Sequence, residues 1–219
     1  MKKAGRYKIS GLVENQFEPG SRGKVLKNLR GIKRKSEIDG IEAEFFELTL
    51  DRLIKTYKED HRFTADDIRR FHRIWLGDIY EWAGKYRKVN ISKGDFPFAA
   101  AAHIPVLMEE FENGPLKRHT PCCGMNEIRL VKALAEVHVE LVLIHPFREG
   151  NGRIARILST LMALQGGLPI LDFSDISGKK KEKYFAAVRN GLDRDYGAME
   201  EIFKEIIRKT FSSLRRGRY

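Results

Sequence analysis

Only two cysteines occur in 219 residues, and they are adjacent, Cys122 and Cys123. Neighbouring cysteines bridge only with strain, and two thiols are too few for a structural zinc site. The chain therefore reads as one that keeps free thiols in a reducing compartment. No stretch is apolar for the length of a membrane span, so no membrane-crossing helix is expected. The basic start, Met-Lys-Lys-Ala-Gly-Arg, is not followed by an apolar signal core, and secretion by that route is not expected. A cytoplasmic location follows, with delivery into another cell as an effector the variant of it. Internal repeats, low-complexity tracts and Pro/Ser-rich linkers are also missing, which argues for one domain over residues 1–219.

Acidic charge is in short supply. Thirty Asp and Glu face 41 Lys and Arg, a net charge of +11. Such a balance favours anionic partners, either nucleotides, nucleic acid or acidic protein surfaces. Much of the excess is local, in Lys-Arg-Lys at 33–35, Lys-Lys-Lys-Glu-Lys at 179–183 and Arg-Arg-Gly-Arg at 215–218. Runs of this kind are ordinarily solvated faces or tails, so nucleic acid is not expected as the partner.

What is present has mostly helical period. Ile38, Ile41, Phe45, Leu48, Leu53 and Tyr57 recur at spacings near three and four. Thr64 stands as an N-cap before Asp66 and Asp67, where the helix dipole favours acids, and Ile68, Phe71, Ile74, Trp75 and Ile79 form the apolar face behind it. Further helices are expected over about 126–144, 152–165 and 195–214. Their faces carry Ile128, Val131, Leu134, Ala135, His138, Leu141 and Val142; then Ile154, Ile157, Leu158, Leu161 and Met162; then Met199, Ile202, Phe203, Ile206 and Phe211. The stretch 84–98 breaks the period. Its β-branched residues, Lys-Gly-Asp and aromatics around Pro97 predict a short hairpin flap near 86–98 with Gly94 at the tip. The expected fold is mainly α with one β-hairpin.

Residues 145–156, His-Pro-Phe-Arg-Glu-Gly-Asn-Gly-Arg-Ile-Ala-Arg, follow the long apolar helix. Pro146 ends that helix, and Gly150 and Gly152 allow a tight turn into the next one. A glycine-rich turn feeding a helix N-terminus gathers unpaired backbone N–H groups that suit an anion. Arg153 and Arg156, three apart, lie on one face and can fork onto phosphate oxygens. Glu149 suits a hard cation such as Mg2+, and His145 can take a proton near neutral pH.

The twelve residues match every fixed position of H-P-F-x-[D/E]-G-N-G-R-x-x-R, and the chain resembles the Fic (filamentation induced by cAMP) family. Residues 79–92 and 182–203 also resemble that family's flap approach and nucleotide-side helices. The resemblance implies a single Fic-type helical domain that transfers AMP from ATP to a Tyr, Ser or Thr hydroxyl of a target protein. It makes His145 the base, Glu149 the Mg2+ ligand, and Gly150, Asn151, Gly152 and Arg153 the cradle of the α- and β-phosphates. Arg156 would hold the γ-phosphate, Phe147 would anchor the loop in the core, and Tyr184 and Asn190 would lie near the adenine. Val89, Asn90, Ile91 and Ser92 of the flap would dock the target by strand addition. ATP, Mg2+ and a target protein are thus the implied ligands, with self-association left open. The rival readings are a related transferase with another nucleotide or phosphocholine donor, and a basic nucleic-acid-binding or antitoxin-type module.

Many Fic proteins carry an inhibitory [S/T]-x-x-x-E-[G/N] segment whose Glu pairs with the second signature arginine. Ser10, Glu14 and Asn15 fit it within residues 8–18, and the resemblance implies that Glu14 restrains Arg156. A near-match at 35–41 has Lys35 and Asp39 where Ser/Thr and Glu belong.

Overall fold

A computed structural model of the chain describes residues 12–176 and 178–216. Ser10 and the first part of the 8–18 segment lie outside them. The order is α1 (Lys35–Thr56), α2 (Ala65–Leu76), β1 (Ser92–Lys93), β2 (Phe96–Pro97), α3 (Ile104–Phe111), a π turn (Glu112–Leu116) running into α4 (Lys117–His119), α5 (Glu127–Ile144), α6 (Asn151–Gln165), α7 (Gly178–Asn190) and α8 (Gly197–Arg216). The molecule is mainly helical with a two-residue hairpin, as its periodicity and its flap signals require.

The helix starts are chemically specified. Thr64 accepts from the Asp67 amide at 3.1 Å while its own amide donates to the Asp67 carboxylate at 3.0 Å, a capping box that fixes where α2 begins. Asn126 caps α5 by accepting from the Arg129 amide at 3.0 Å. Helix α5 is the central post, packed by α3, α6, α7 and α8, while α1 and α2 pair beside α6. Leu130, Leu134, Val137, Leu141, Ile154, Leu158, Met199 and Phe203 are buried in the core between them.

Three residues expected on apolar faces are instead solvated: Leu48 is 60% exposed, Ile128 69% and Phe211 43%. Each is at helical spacing, with Ile128 in the first turn of α5 and Phe211 toward the end of α8. Two helical stretches without a strong periodic signal, α3 with its π turn and α7, complete the bundle. The N-terminal segment contributes one 3-10 turn, Val13–Asn15, and an isolated bridge from Phe17 to Leu26.

Candidate active site

The turn between α5 and α6 is shaped by two left-handed residues. His145 ends α5 at φ 52°, and Gly150 opens α6 at φ 82°. Gly150 has no alternative, because a Cβ there would lie 2.5 Å from the Trp75 ring. The carbonyls of His145, Pro146, Phe147 and Glu149 are each taken by a donor. Arg87 Nε donates to the His145 carbonyl at 2.7 Å, and the Arg87 amide donates to Pro146 at 2.9 Å. Asn151 is buried and makes two hydrogen bonds with Phe147, donating to its carbonyl and accepting from its amide at 2.8 Å each. His72 accepts from the Gly84 amide at Nδ1, so its Nε2–H donates to the Glu149 carbonyl at 3.1 Å. Burial holds the His72 pKa down at about 3, which keeps that tautomer neutral, and the ring stacks on Phe147 at 3.9 Å. With its carbonyls engaged elsewhere, the turn presents the unpaired N–H groups of the first turn of α6 to the cleft.

The cleft has a volume of about 640 Å³, a size that suits a nucleotide. Ile91, Ser92, Lys93 and Phe98 of the flap line one side, His145, Arg148, Glu149, Arg153 and Arg156 the floor, and Lys181, Tyr184, Phe185 and Arg189 of α7 the other. His145 Nδ1–H donates to the Val142 carbonyl at 2.9 Å, so Nε2 keeps its lone pair. Burial is the main reason its pKa falls to about 4, with Arg87 and Lys93 adding to the shift. Phe98 covers one face of the imidazole at 3.6 Å.

Cations face this floor with few carboxylates to meet them. Arg156 is partly buried with its Nε unpaired, and burial lowers its pKa, the signature of a guanidinium made for an anion. Arg153 lies over the Trp75 ring at 4.4 Å and gives Nη2 to Glu42 at 2.8 Å. Glu42, from α1, is itself buried and also accepts from the Tyr80 hydroxyl at 2.7 Å. Glu149 turns one oxygen back onto the Gly150 amide at 3.1 Å and lies 4.0 Å from Arg153. Among the described residues no three His, Cys, Asp or Glu side chains converge as a metal cage. A single half-exposed carboxylate beside phosphate donors fits Mg2+, which keeps most of its waters and takes one or two carboxylates.

The structure gathers His145, Glu149, Gly150, Asn151, Gly152, Arg153, Arg156, Tyr184, Ile91 and Ser92 around one cleft. It does not bring in Asn190, which is exposed at the end of α7 and outside the lining. Val89 is buried beneath the flap, and Asn90 accepts from the Ala101 amide at its base, so the free edge begins only at Ile91. Tyr184 lines the cleft but spends its hydroxyl on His138 at 2.7 Å, whose other nitrogen bonds Ser159 at 2.9 Å.

The pairing of Glu14 with Arg156 is corrected. Glu14 is buried, but its carboxylate accepts from the Lys88 amide at 2.7 Å and its carbonyl accepts from Arg148 Nε at 2.9 Å. With its carboxylate engaged at the flap base, Glu14 makes no ion pair with Arg156 among the described residues. Asp39 does not take the role either, since it is exposed and pairs with Lys35. The acid on a signature arginine is Glu42, which sequence reasoning missed along with Arg87 and His72. No local signal marked them, since Glu42 lies among other acids, and Arg87 and His72 lie among other basic residues.

Comparison with known proteins agrees with this geometry. The Fic/DOC family model matches residues 62–163. The probable protein adenylyltransferase Fic of Escherichia coli (strain K12) is 32% identical over 145 residues, 64% of this chain and 68% of that protein. Protein adenylyltransferase VbhT of Bartonella schoenbuchensis is 32% identical over 67% of this chain, which spans only 30% of that longer relative. Among solved structures, the N-terminal Fic domain of an effector from Bartonella sp. AR 15-3 gives a TM-score of 0.71 at 22% identity, covering 94% of this chain and 95% of that one. The BepC protein of Bartonella tribocorum with bound AMPPNP gives 0.69 at 22% identity, covering 88% and 96%.

Proposed function

The chain belongs to the Fic/DOC family, and on that premise we propose that it is a protein adenylyltransferase. A Tyr, Ser or Thr hydroxyl of a target protein attacks the α-phosphorus of ATP. The new O–P bond forms as the bond to the bridging oxygen of pyrophosphate breaks, and the hydroxyl proton passes to His145 Nε2. The reading is carried by one observation, a turn whose carbonyls are held away while its N–H groups and two arginines face the cleft beside the lone pair of His145.

Transfer of this kind asks for alignment and charge neutralisation more than covalent chemistry. The N–H groups of Asn151 and Gly152 with Arg153 would hold the α- and β-phosphates, and Arg156 the γ-phosphate. Glu149 would bind Mg2+, which when present neutralises the phosphate oxygens. Main-chain pairing along Ile91–Lys93 would bring the acceptor hydroxyl to His145. Restraint through Glu14 would act at the flap base, through Lys88 and Arg148, and not on Arg156. Two relatives bear the name protein adenylyltransferase, which supports the donor assignment.

The test is incubation with Mg2+ and ATP labelled at either the α- or the γ-phosphate. Protein-bound label from α-labelled ATP alone, lost in His145→Ala, is the expected result. Label from γ-labelled ATP would mean phosphoryl transfer, and no label from either would reject an ATP donor.

A further inference from the structure

Arg87 is 1% exposed, yet no acidic side chain forms an ion pair with it among the described residues. Its guanidinium is satisfied entirely by backbone carbonyls. Nε donates to His145 at 2.7 Å, Nη1 to Val89 at 2.7 Å, and Nη2 to Ala99 at 2.6 Å and Ile144 at 3.4 Å. Val89 and Ala99 are the two feet of the flap, one before β1 and one after β2. We propose that Arg87 is a positioning residue that registers the flap against His145, so that the surface which docks the target and the base which serves it share one rigid support. The inference rests on the reading of His145 as the base.

The physical case has three parts. A planar guanidinium with five donors in a fixed fork can hold carbonyls from two segments in one geometry, which a lysine cannot do. His145 is held in the left-handed region, disfavoured for a residue with a Cβ, and such a conformation persists only where its surroundings over-determine it. The bond from Arg87 to the His145 carbonyl, with the Arg87 amide on Pro146, supplies that constraint. Finally, Phe98 precedes Ala99 and stacks on the imidazole, so the foot that Arg87 grips also carries the ring that lies on the base. Loosening Arg87 therefore tilts the flap and frees the imidazole together, while the phosphate donors on α6 keep their places.

The groups that face His145 are Arg87 beneath it, Lys93 and Phe98 from the flap and the Val142 carbonyl from α5. Arg87→Gln removes the cation and most of the fork, and Arg87→Lys keeps the cation with fewer bonds. ATP affinity by calorimetry should stay within about threefold of wild type in both, since orientation and not phosphate grip is lost. Self-modification with α-labelled ATP should fall on the order of a hundredfold in Arg87→Gln and recover in part in Arg87→Lys. The His145 ring titration followed by NMR should move to higher pH in Arg87→Gln and less in Arg87→Lys, because a neighbouring cation has been withdrawn only in the former. A folded Arg87→Gln with unchanged transfer and unchanged titration overturns the proposal. So does a loss of ATP binding as large as the loss of transfer, which would mark a merely structural arginine. Should Arg87→Gln not fold, Arg87→Lys decides, and wild-type transfer in it overturns the proposal. Should wild type itself transfer nothing, the transferase reading fails, and the NMR titration still decides Arg87.

Discussion

Glu42 has the side chain whose removal says most about the site. It is 3% exposed, sits inside α1 and holds two donors, Arg153 Nη2 at 2.8 Å and the Tyr80 hydroxyl at 2.7 Å. Glu42→Ala leaves both without an acceptor. Breaking a buried ion pair from one side costs about 3–5 kcal/mol. The Arg153 side chain is 32% exposed, so water can replace part of what it loses, and about 2–3 kcal/mol is the reasonable figure. In a domain of this size that corresponds to a fall in Tm of about 5–10 °C.

The functional consequence follows from which edge Glu42 occupies. Arg153 lines the cleft and Glu42 does not, so the carboxylate grips the guanidinium from behind while the Trp75 ring supports its face. Without Glu42 the arginine keeps its charge and loses its aim. ATP binding by calorimetry should change less than about threefold, while transfer of α-label falls roughly ten- to hundredfold. A Tm within about 1 °C of wild type, in a domain where 1 kcal/mol moves it 2–4 °C, would refute the pair. Faster transfer than wild type would refute its sense, showing that Glu42 withholds Arg153 from the phosphates instead of presenting it.

His145→Ala should leave ATP binding within about threefold and abolish transfer by at least a hundredfold, the scale of a general base; calorimetry and label incorporation measure the two separately. Glu149→Lys should remove the Mg2+ dependence of ATP binding, checked by titrating ATP with and without the ion. Glu14→Ala takes the acceptor from the Lys88 amide, costing about 1–3 kcal/mol, and should speed hydrogen exchange at the flap base; unchanged exchange there would refute that anchoring role. His72, His138 and His145 have pKa values lowered to about 3, 3 and 4, chiefly by burial. The unfolded chain therefore binds more protons below about pH 6.5, and stability present at neutral pH is lost as pH falls from there toward 4, by about 1.4 kcal/mol per unit for each histidine. Thermal melts between pH 7 and 4.5 check the sign, and a Tm that rises with acid would contradict it.

The elements that sequence made legible are those specified locally. Thr64 with Asp67 marks the start of α2, Asn126 that of α5, and Gly94 the hairpin tip at φ 61°. The signature at 145–156 was legible for the same reason, since its phosphate-gripping residues are consecutive and a turn into a helix is a local event. Residues that act across the fold were not. Glu42 lies 111 positions before Arg153, and Arg87 lies 58 before His145. Glu42 reads as one more acid in a charged helix, and its burial becomes visible only once Trp75 and Tyr80 enclose it. The inhibitory pattern that Glu14 fits and Asp39 does not fixes residue types and not reach.

The same division explains why the turn is built as it is. A backbone that aims several N–H groups at one anion must point its carbonyls the other way, and buried carbonyls require donors. A short turn cannot supply these from its own main chain, because the N–H groups that could pair with them are reserved for the ligand. Here the donors are the Arg87 fork and main-chain amide, the His72 imidazole, and the side-chain amide of Asn151, the first residue of α6. Each is buried, and none is ion-paired with a carboxylate among the described residues. An anion cradle of this type thus carries a second, outward-facing set of polar residues. Within that set the work is divided: His72 and Asn151 hold the Glu149 and Phe147 carbonyls next to the phosphate donors, while Arg87 fixes the His145 end of the turn.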